Sequence, residues 1–342
     1  MNKMPPLQLR WMLRTSVCVA YLCFAGSLVQ ARAPVNLDII KRDGYGSVEL
    51  KESGINEFVV QGRMNGRAVR LILDTGAASR NIVLTNSFAG LLKVAPHPVK
   101  DFGVSVTGKH IEHLTEGTVD SLVLGSVQIT NTTVNFASFG HLGRRNLQGE
   151  FRAPDSLNDA EARRTDADGL LGLGFLQRCA AIIDPSNNRL YLKPPGVGRV
   201  PQLSAALIAA GFSEANLQLS GLGLLVDVSL NGVPSKMVID TGANLSVVDS
   251  RLAAQAKLKT YGSAGVRMTD SAGVETGVSW ADPASFKIGG VDALRTRLIV
   301  RSTSIYQPTG GKVGGLLGLD FIGQSWGIVD FAQHKLYFAA TK

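Results

Sequence analysis

Short apolar runs rich in β-branched residues alternate with Gly, Asn, Asp and Pro along most of the chain, the punctuation of an all-β protein. The pattern predicts strands over 58–64, 68–73, 121–124 and 127–133. A second set is predicted over 225–230, 236–239, 285–288 and 296–300. Asn65-Gly66 and Asn231-Gly232 separate apolar runs as two-residue hairpin turns do. Helical spacing is scarce. It predicts one short helix per half, 86–92 and 250–258, and a third over 203–210 in the connection that opens at Pro194-Pro195-Gly196.

The two sets of strands belong to a repeat. Residues 71–77 read L-I-L-D-T-G-A and residues 237–243 read M-V-I-D-T-G-A. A second block follows each, D-G-L-L-G-L-G-F from Asp168 and G-G-L-L-G-L-D-F from Gly314. Each half then closes on an apolar pair, an aspartate and a short strand, from Ile182 and from Ile328. Asp74 and Asp240 are 166 positions apart, whereas Gly172 and Gly318 are 146 apart. The first half therefore carries extra residues, which fall in the polar stretch 141–167 and read as an exposed loop with room for a short helix. The repeat divides the chain into 34–195 and 196–342.

The first 33 residues have the build of a secretory signal peptide. Lys3, Arg10 and Arg14 precede an apolar run from Ser16 to Val29 that is short for a bilayer span, and Ala31 and Ala33 offer cleavage positions. The expected location is therefore the periplasm or the exterior, with no stable membrane insertion after cleavage. Cys18 and Cys23 would leave with that segment, so Cys179 would be the one mature cysteine and no intramolecular disulfide could form. Cys179 lies in a strand-like run and reads as a small buried hydrophobe rather than a nucleophile. The net charge of +8 falls to +4 once the four basic residues of 1–33 are set aside, too mild a balance to argue for a nucleic-acid partner.

One Asp-Thr-Gly is a common turn. Here the triplet ends an apolar strand in both halves, so two carboxylates are committed to buried positions. Burial of each is costly unless compensated, and its occurrence twice at equivalent positions points to a site. Leu170-Leu171-Gly172 and Leu316-Leu317-Gly318 are expected to pack beside the two aspartate loops.

These paired D-T-G-A loops and paired L-L-G elements resemble the pepsin-like and retropepsin-like aspartic proteases, over roughly residues 55–195 and 215–342. D-T-G-A and the simple strand plan look closer to retropepsins, and fusion of two lobes in one exported chain resembles bacterial periplasmic members of the group. The resemblance implies two pseudo-symmetric lobes, retropepsin-like β-barrels, with a catalytic cleft between them. It implies that Asp74 and Asp240 share one proton and activate a water against a peptide bond, with no metal or cofactor. Thr75 and Thr241 would bond across the lobes, while Gly76 and Gly242 would let the backbone approach and donate N–H groups. Hairpin tips at Ser105, Val106, Thr107 and Gly108, and at Asp270, Ser271, Ala272 and Gly273, would supply the flap and its counterpart. With both half-sites in one chain, the enzyme is expected to be a monomer acting on a protein or peptide substrate.

Three departures from pepsins matter. Ala77 and Ala243 stand where a hydroxyl residue would donate to the carboxylate, which should raise both titrations. Neither flap candidate contains a tyrosine, and only about 25 residues separate the cleavage positions from the first core strand expected at Phe58, little room for a basic pro-segment. The competing reading is a non-catalytic peptide-binding protein that keeps the fold; intact aspartates in both halves argue against it. Other chemistries find no support. His110 and His113 fall on opposite faces of an expected strand, there is neither a G-x-S-x-G elbow nor a C-x-x-C pair, and G-L-L-G-L-G lacks dinucleotide-loop spacing.

Overall fold

The strand closing each half pairs with its counterpart in the other half, and this pairing joins the molecule. Ile182–Asp184 runs antiparallel to Ile328–Asp330, with Ile182 opposite Asp330 and Ile183 opposite Val329. On one side the sheet continues through Arg189–Leu192 to Gly46–Glu52, and on the other through Lys335–Phe338 to Ser213–Ser220. Equivalent residues thus meet about a local two-fold axis between the repeats. This computed structural model describes residue 35 and residues 37–53, 57–104, 110–138, 144–145, 151–152, 166–196, 199–269, 275–293, 296–303, 310 and 312–340; segments 38–39, 100–104, 110–113, 144–145, 151–152, 263–269 and 275–276 are described by backbone alone. Residues 34–342 form one compact unit.

Each lobe folds its own strands around the repeat. In the first, Phe58–Met64 and Arg67–Leu73 form the Asn65-Gly66 hairpin, with Asn65 at φ 44° and Gly66 at φ 76°. Gly169–Leu171 runs parallel to Arg67–Leu73 and antiparallel to Ile82–Thr85. His97–Val104, His110–Leu124 and Val127–Ala137 complete the lobe as an antiparallel meander. The second lobe repeats the plan. Gly223–Leu230 pairs with Val233–Ile239 through Asn231-Gly232, and Val313–Leu317 runs parallel to Val233–Ile239. Thr260–Thr269 and Glu275–Ala281 form its outer hairpin. The alternation of apolar and polar residues fixes this register, because a slip of one residue would turn Val60, Leu71 and Leu73 out of the core.

The predicted strands are present, most with longer bounds where pairing extends them, while those expected over 285–288 and 296–300 shorten to Phe286–Ile288 and Leu298–Arg301. The helix at Asn86–Leu92 matches its expected limits, the other two shorten to Ser250–Gln255 and Ser204–Ala209, and no helix among the described residues is long and apolar enough to cross a membrane. Three expectations need correction. The fold begins well before Phe58: Leu37 and Ile40 are buried in a 3-10 turn, and Gly46–Glu52 bridges the interlobe sheet and the first lobe. Each half also carries a second short helix after its L-L-G, Leu173–Arg178 and Leu319–Gln324. Cys179 accordingly caps the first of these helices rather than lying in a strand, although it is buried as expected. Of the 141–167 stretch, only the short pairing of Arg144–Arg145 with Phe151–Arg152 and the last two residues, 166–167, lie within the described residues.

Candidate active site

Both aspartates stand where a strand ends against the twin of its neighbour. Asp74 follows Arg67–Leu73, and its N–H donates to the carbonyl of Leu171 at 3.1 Å. Asp240 follows Val233–Ile239, and its N–H donates to the carbonyl of Leu317 at 2.9 Å. The loop beyond each is held by the helix after L-L-G: Leu173 N–H donates to Ala77 O at 2.9 Å, and Leu319 N–H to Ala243 O at 2.8 Å. Such close approach leaves no room for a side chain on the intervening glycines. A Cβ on Gly172 would lie 2.8 Å from the Ala77 carbonyl oxygen, and one on Gly318 would lie 2.6 Å from that of Ala243. The L-L-G elements therefore do pack beside the aspartate loops.

The loops are cross-braced. The Thr241 hydroxyl accepts from the Thr75 N–H at 3.1 Å and donates to the Leu73 carbonyl at 2.8 Å. Reciprocally, the Thr75 hydroxyl accepts from the Thr241 N–H at 3.0 Å and donates to the Ile239 carbonyl at 2.7 Å. Both threonines are fully buried, so every donor and acceptor in this square is satisfied without water. Gly76 and Gly242 bring each backbone against the opposite carboxyl. A Cβ on Gly76 would lie 2.5 Å from the Asp240 carboxyl carbon, and one on Gly242 would lie 2.5 Å from that of Asp74.

The result is a pair of carboxyls hydrogen-bonded to one another, partly accessible but crowded by protein. Asp74 Oδ1 accepts the Ala77 N–H at 2.9 Å, and Asp240 Oδ1 accepts the Gly242 N–H at 2.9 Å. Burial is the leading cause that pushes both groups above the ordinary carboxylate range. For Asp240 the negative charge of Asp74 adds to that rise. The backbone N–H groups of the loops oppose it at both residues. Such a pair loses its two protons in separate steps, so that over the interval between them it holds one acid and one base.

The aspartyl protease family model matches residues 60–175 and 226–321, one stretch in each half, each spanning a D-T-G-A and an L-L-G. The chain belongs to the aspartyl protease family. Among solved structures this aspartyl protease is similar to the aspartic proteinase from Irpex lacteus, at 16% identity over 87% of this chain and 98% of that one, with a TM-score of 0.48. No curated protein matches it.

The structure brings together Asp74, Thr75, Gly76 and Ala77 with Asp240, Thr241, Gly242 and Ala243. Ser105, Val106, Thr107, Gly108, Asp270, Ser271, Ala272 and Gly273 lie outside the described residues. The strands leading to them, His97–Val104 with His110–Leu124 and Thr260–Thr269 with Glu275–Ala281, do form hairpins. A bracing group went unread in the sequence. The Ser246 hydroxyl accepts the Gly318 N–H at 3.0 Å and donates to Asp320 Oδ1 at 2.7 Å, tying the second L-L-G to the strand beyond Asp240. The first half has Gly174 in place of Asp320, because a Cβ there would lie 2.5 Å from the Arg80 carbonyl oxygen. The G-L-D-F against G-L-G-F difference carried that signal.

Proposed function

We propose that this aspartyl protease is an exported endopeptidase that hydrolyses peptide bonds with Asp74 and Asp240 as its catalytic pair. The observation that carries the reading is the hydrogen-bonded carboxyl pair, formed from equivalent positions of the two repeats. In the singly protonated state the ionised carboxyl takes a proton from a water lodged between the two, and the water oxygen attacks the peptide carbonyl carbon. The protonated carboxyl gives its proton to the carbonyl oxygen, so the tetrahedral intermediate forms without a free oxyanion. Collapse of that intermediate breaks the C–N bond: the carboxyl that took the water's proton passes it to the departing amine, and the other takes a hydroxyl proton from the intermediate, which leaves a carboxylic acid and one proton again on the pair. The braced threonines act by holding the carboxyls at fixed separation, which is how positioning lowers the barrier.

Export rests on the make-up of residues 1–33, and the periplasm or the exterior is the proposed location. One chain supplies both carboxyls and both halves of the interlobe sheet, which supports action as a monomer. The test is incubation of the purified protein with a diverse peptide library at several pH values, with and without pepstatin. Pepstatin-sensitive internal cleavage is expected. Peptide retention without cleavage at any pH would instead assign the fold to binding alone.

A further inference from the structure

Residues 35–45 lie against a core of their own. Leu37, Ile40 and Tyr45 pack with Ile182 and Ile328 of the two closing strands and with Leu207 of the connecting helix, in a cluster separate from the main core. Among the described residues, strand pairing starts only at Gly46. Asn187 Nδ2 donates to the Val35 carbonyl at 3.0 Å, and the Tyr45 hydroxyl donates to the Ala180 carbonyl at 2.9 Å. The segment is thus a strap across the underside of the interlobe sheet, fastened near both ends.

Each end meets one of the two equivalent buried aspartates. Asn187, which holds Val35, also donates to Asp184 Oδ2 at 2.6 Å. Tyr45 feels Asp330: burial first, and then the charge of Asp330, push its phenol upward, and Asp43 on the strap adds to the rise. Ile182 stands opposite Asp330 in the sheet, so Asp330 projects to the face that the strap covers.

The provision for Asp330 is incomplete. It is 0% exposed, Oδ1 accepts the N–H groups of Ala332 and Gln333, and Oδ2 has no partner. The nearby cations are committed elsewhere. Lys335 stands opposite Asp330 in the sheet but binds Glu214 at 2.8 Å, and Lys193, 5.7 Å from the Tyr45 ring centre, donates to the Arg199 carbonyl. Tyr337 is paired with Ser204 at 2.9 Å. An ionised Asp330 would be a buried charge without a counter-ion, and lifting the strap admits water to it while the sheet stays paired.

We propose that residues 35–45 form a pH-sensitive strap, seated under the interlobe sheet while Asp330 is protonated and lifted more often once it ionises. Burial pushes Asp330 up to about 6. The seated state is therefore fully favoured below about pH 4 and loses that advantage as pH rises through 6. Tyr45 and Tyr337 are pushed upward and stay neutral over this range. Lifting uncovers Ile182 and Ile328, where the lobes join, and requires no catalytic activity.

Hydrogen exchange of the full protein at pH 4 and pH 7, corrected for the intrinsic exchange rate, tests it. Protection of the strap amides should fall about 100-fold between the two, the ratio set by a carboxyl near 6 when covered and near 4 when hydrated. At pH 7 the strap should exchange at least about tenfold faster than Arg67–Leu73, because it opens without global unfolding. Asp330→Asn keeps an acceptor for the two N–H groups and should hold strap protection nearly level across the range. Equal protection of the wild type at both pH values would overturn the proposal. So would a fall of wild-type size in Asp330→Asn, or strap exchange at the same rate as Arg67–Leu73, which would mean that the strap opens only when the whole protein unfolds.

Discussion

At the scale of single residues, the carboxyl pair trades stability for chemistry. Both carboxyls are raised by burial, and Asp240 also by the charge of Asp74. A carboxyl raised in the folded state contributes its full stability below its unfolded value of about 3.9 and loses it as pH climbs through the folded value. Asp240→Asn should therefore unfold with the same midpoint as the wild type near pH 3 and a midpoint a few degrees higher near pH 7. Thermal scans of both proteins at the two pH values check this; a lower midpoint at pH 7 would show that the pair stabilises the fold. Thr241 works in the opposite sense. Thr241→Val strands the Thr75 N–H and the Leu73 carbonyl in a buried place, at a cost of roughly 2–5 kcal/mol, whereas Thr241→Ser keeps both bonds. Urea unfolding should rank the variants in that order. The sequence made this site legible because one buried aspartate is ambiguous and two at matching positions are not. Burial, which one sequence expresses poorly, is the leading cause of the raised titrations.

At the scale of elements, alternation and Asn-Gly turns located the central strands of each lobe. The helices Leu173–Arg178 and Leu319–Gln324 were not legible. They are too short for a helical period to appear, and contacts with the aspartate loops rather than propensity hold them in place. Gly46–Glu52 was missed because one of its two pairing partners, Arg189–Leu192, is remote in the chain. The interlobe sheet also contains an asymmetry that the repeat disguises. Asp184 and Asp330 are equivalent and fully buried, but Ser186 and the Asn187 side chain donate to Asp184, whereas Asp330 accepts backbone N–H groups from Ala332 and Gln333 at Oδ1 and leaves Oδ2 without a partner. Burial accordingly pushes Asp330 to about 6. Its contribution to stability is complete below about pH 4 and is lost as pH rises through 6. Asp330→Asn keeps an acceptor for the two N–H groups and should stabilise the protein at pH 8 by up to about 3 kcal/mol, with no gain at pH 3. Denaturant titration at both pH values reads the difference, and an equal effect at the two would remove the titration from the account.

At the scale of the whole molecule, one chain makes a two-fold arrangement by meeting its own repeat at Ile182–Asp184 and Ile328–Asp330. Because both carboxyls come from that chain, specific activity should be constant on dilution, and a steep fall at low concentration would mean that the working site needs a second copy. The repeat need not be perfect for this. The first lobe runs through His110–Leu124 and Val127–Ala137 as long strands, where the second breaks the same path into shorter ones, and the carboxyls still meet. The most direct test of the shared-proton pair is kcat/KM against pH on one soluble peptide, for the wild type, Asp74→Asn and Asp240→Asn. The account predicts a bell for the wild type centred at mildly acidic to near-neutral pH, above the interval between about 1.5 and 4.7 that bounds the pepsin pair. It also predicts a loss of roughly 10³-fold or more in each variant. Near-normal turnover in either variant, or a bell centred as low as pepsin's, would contradict it.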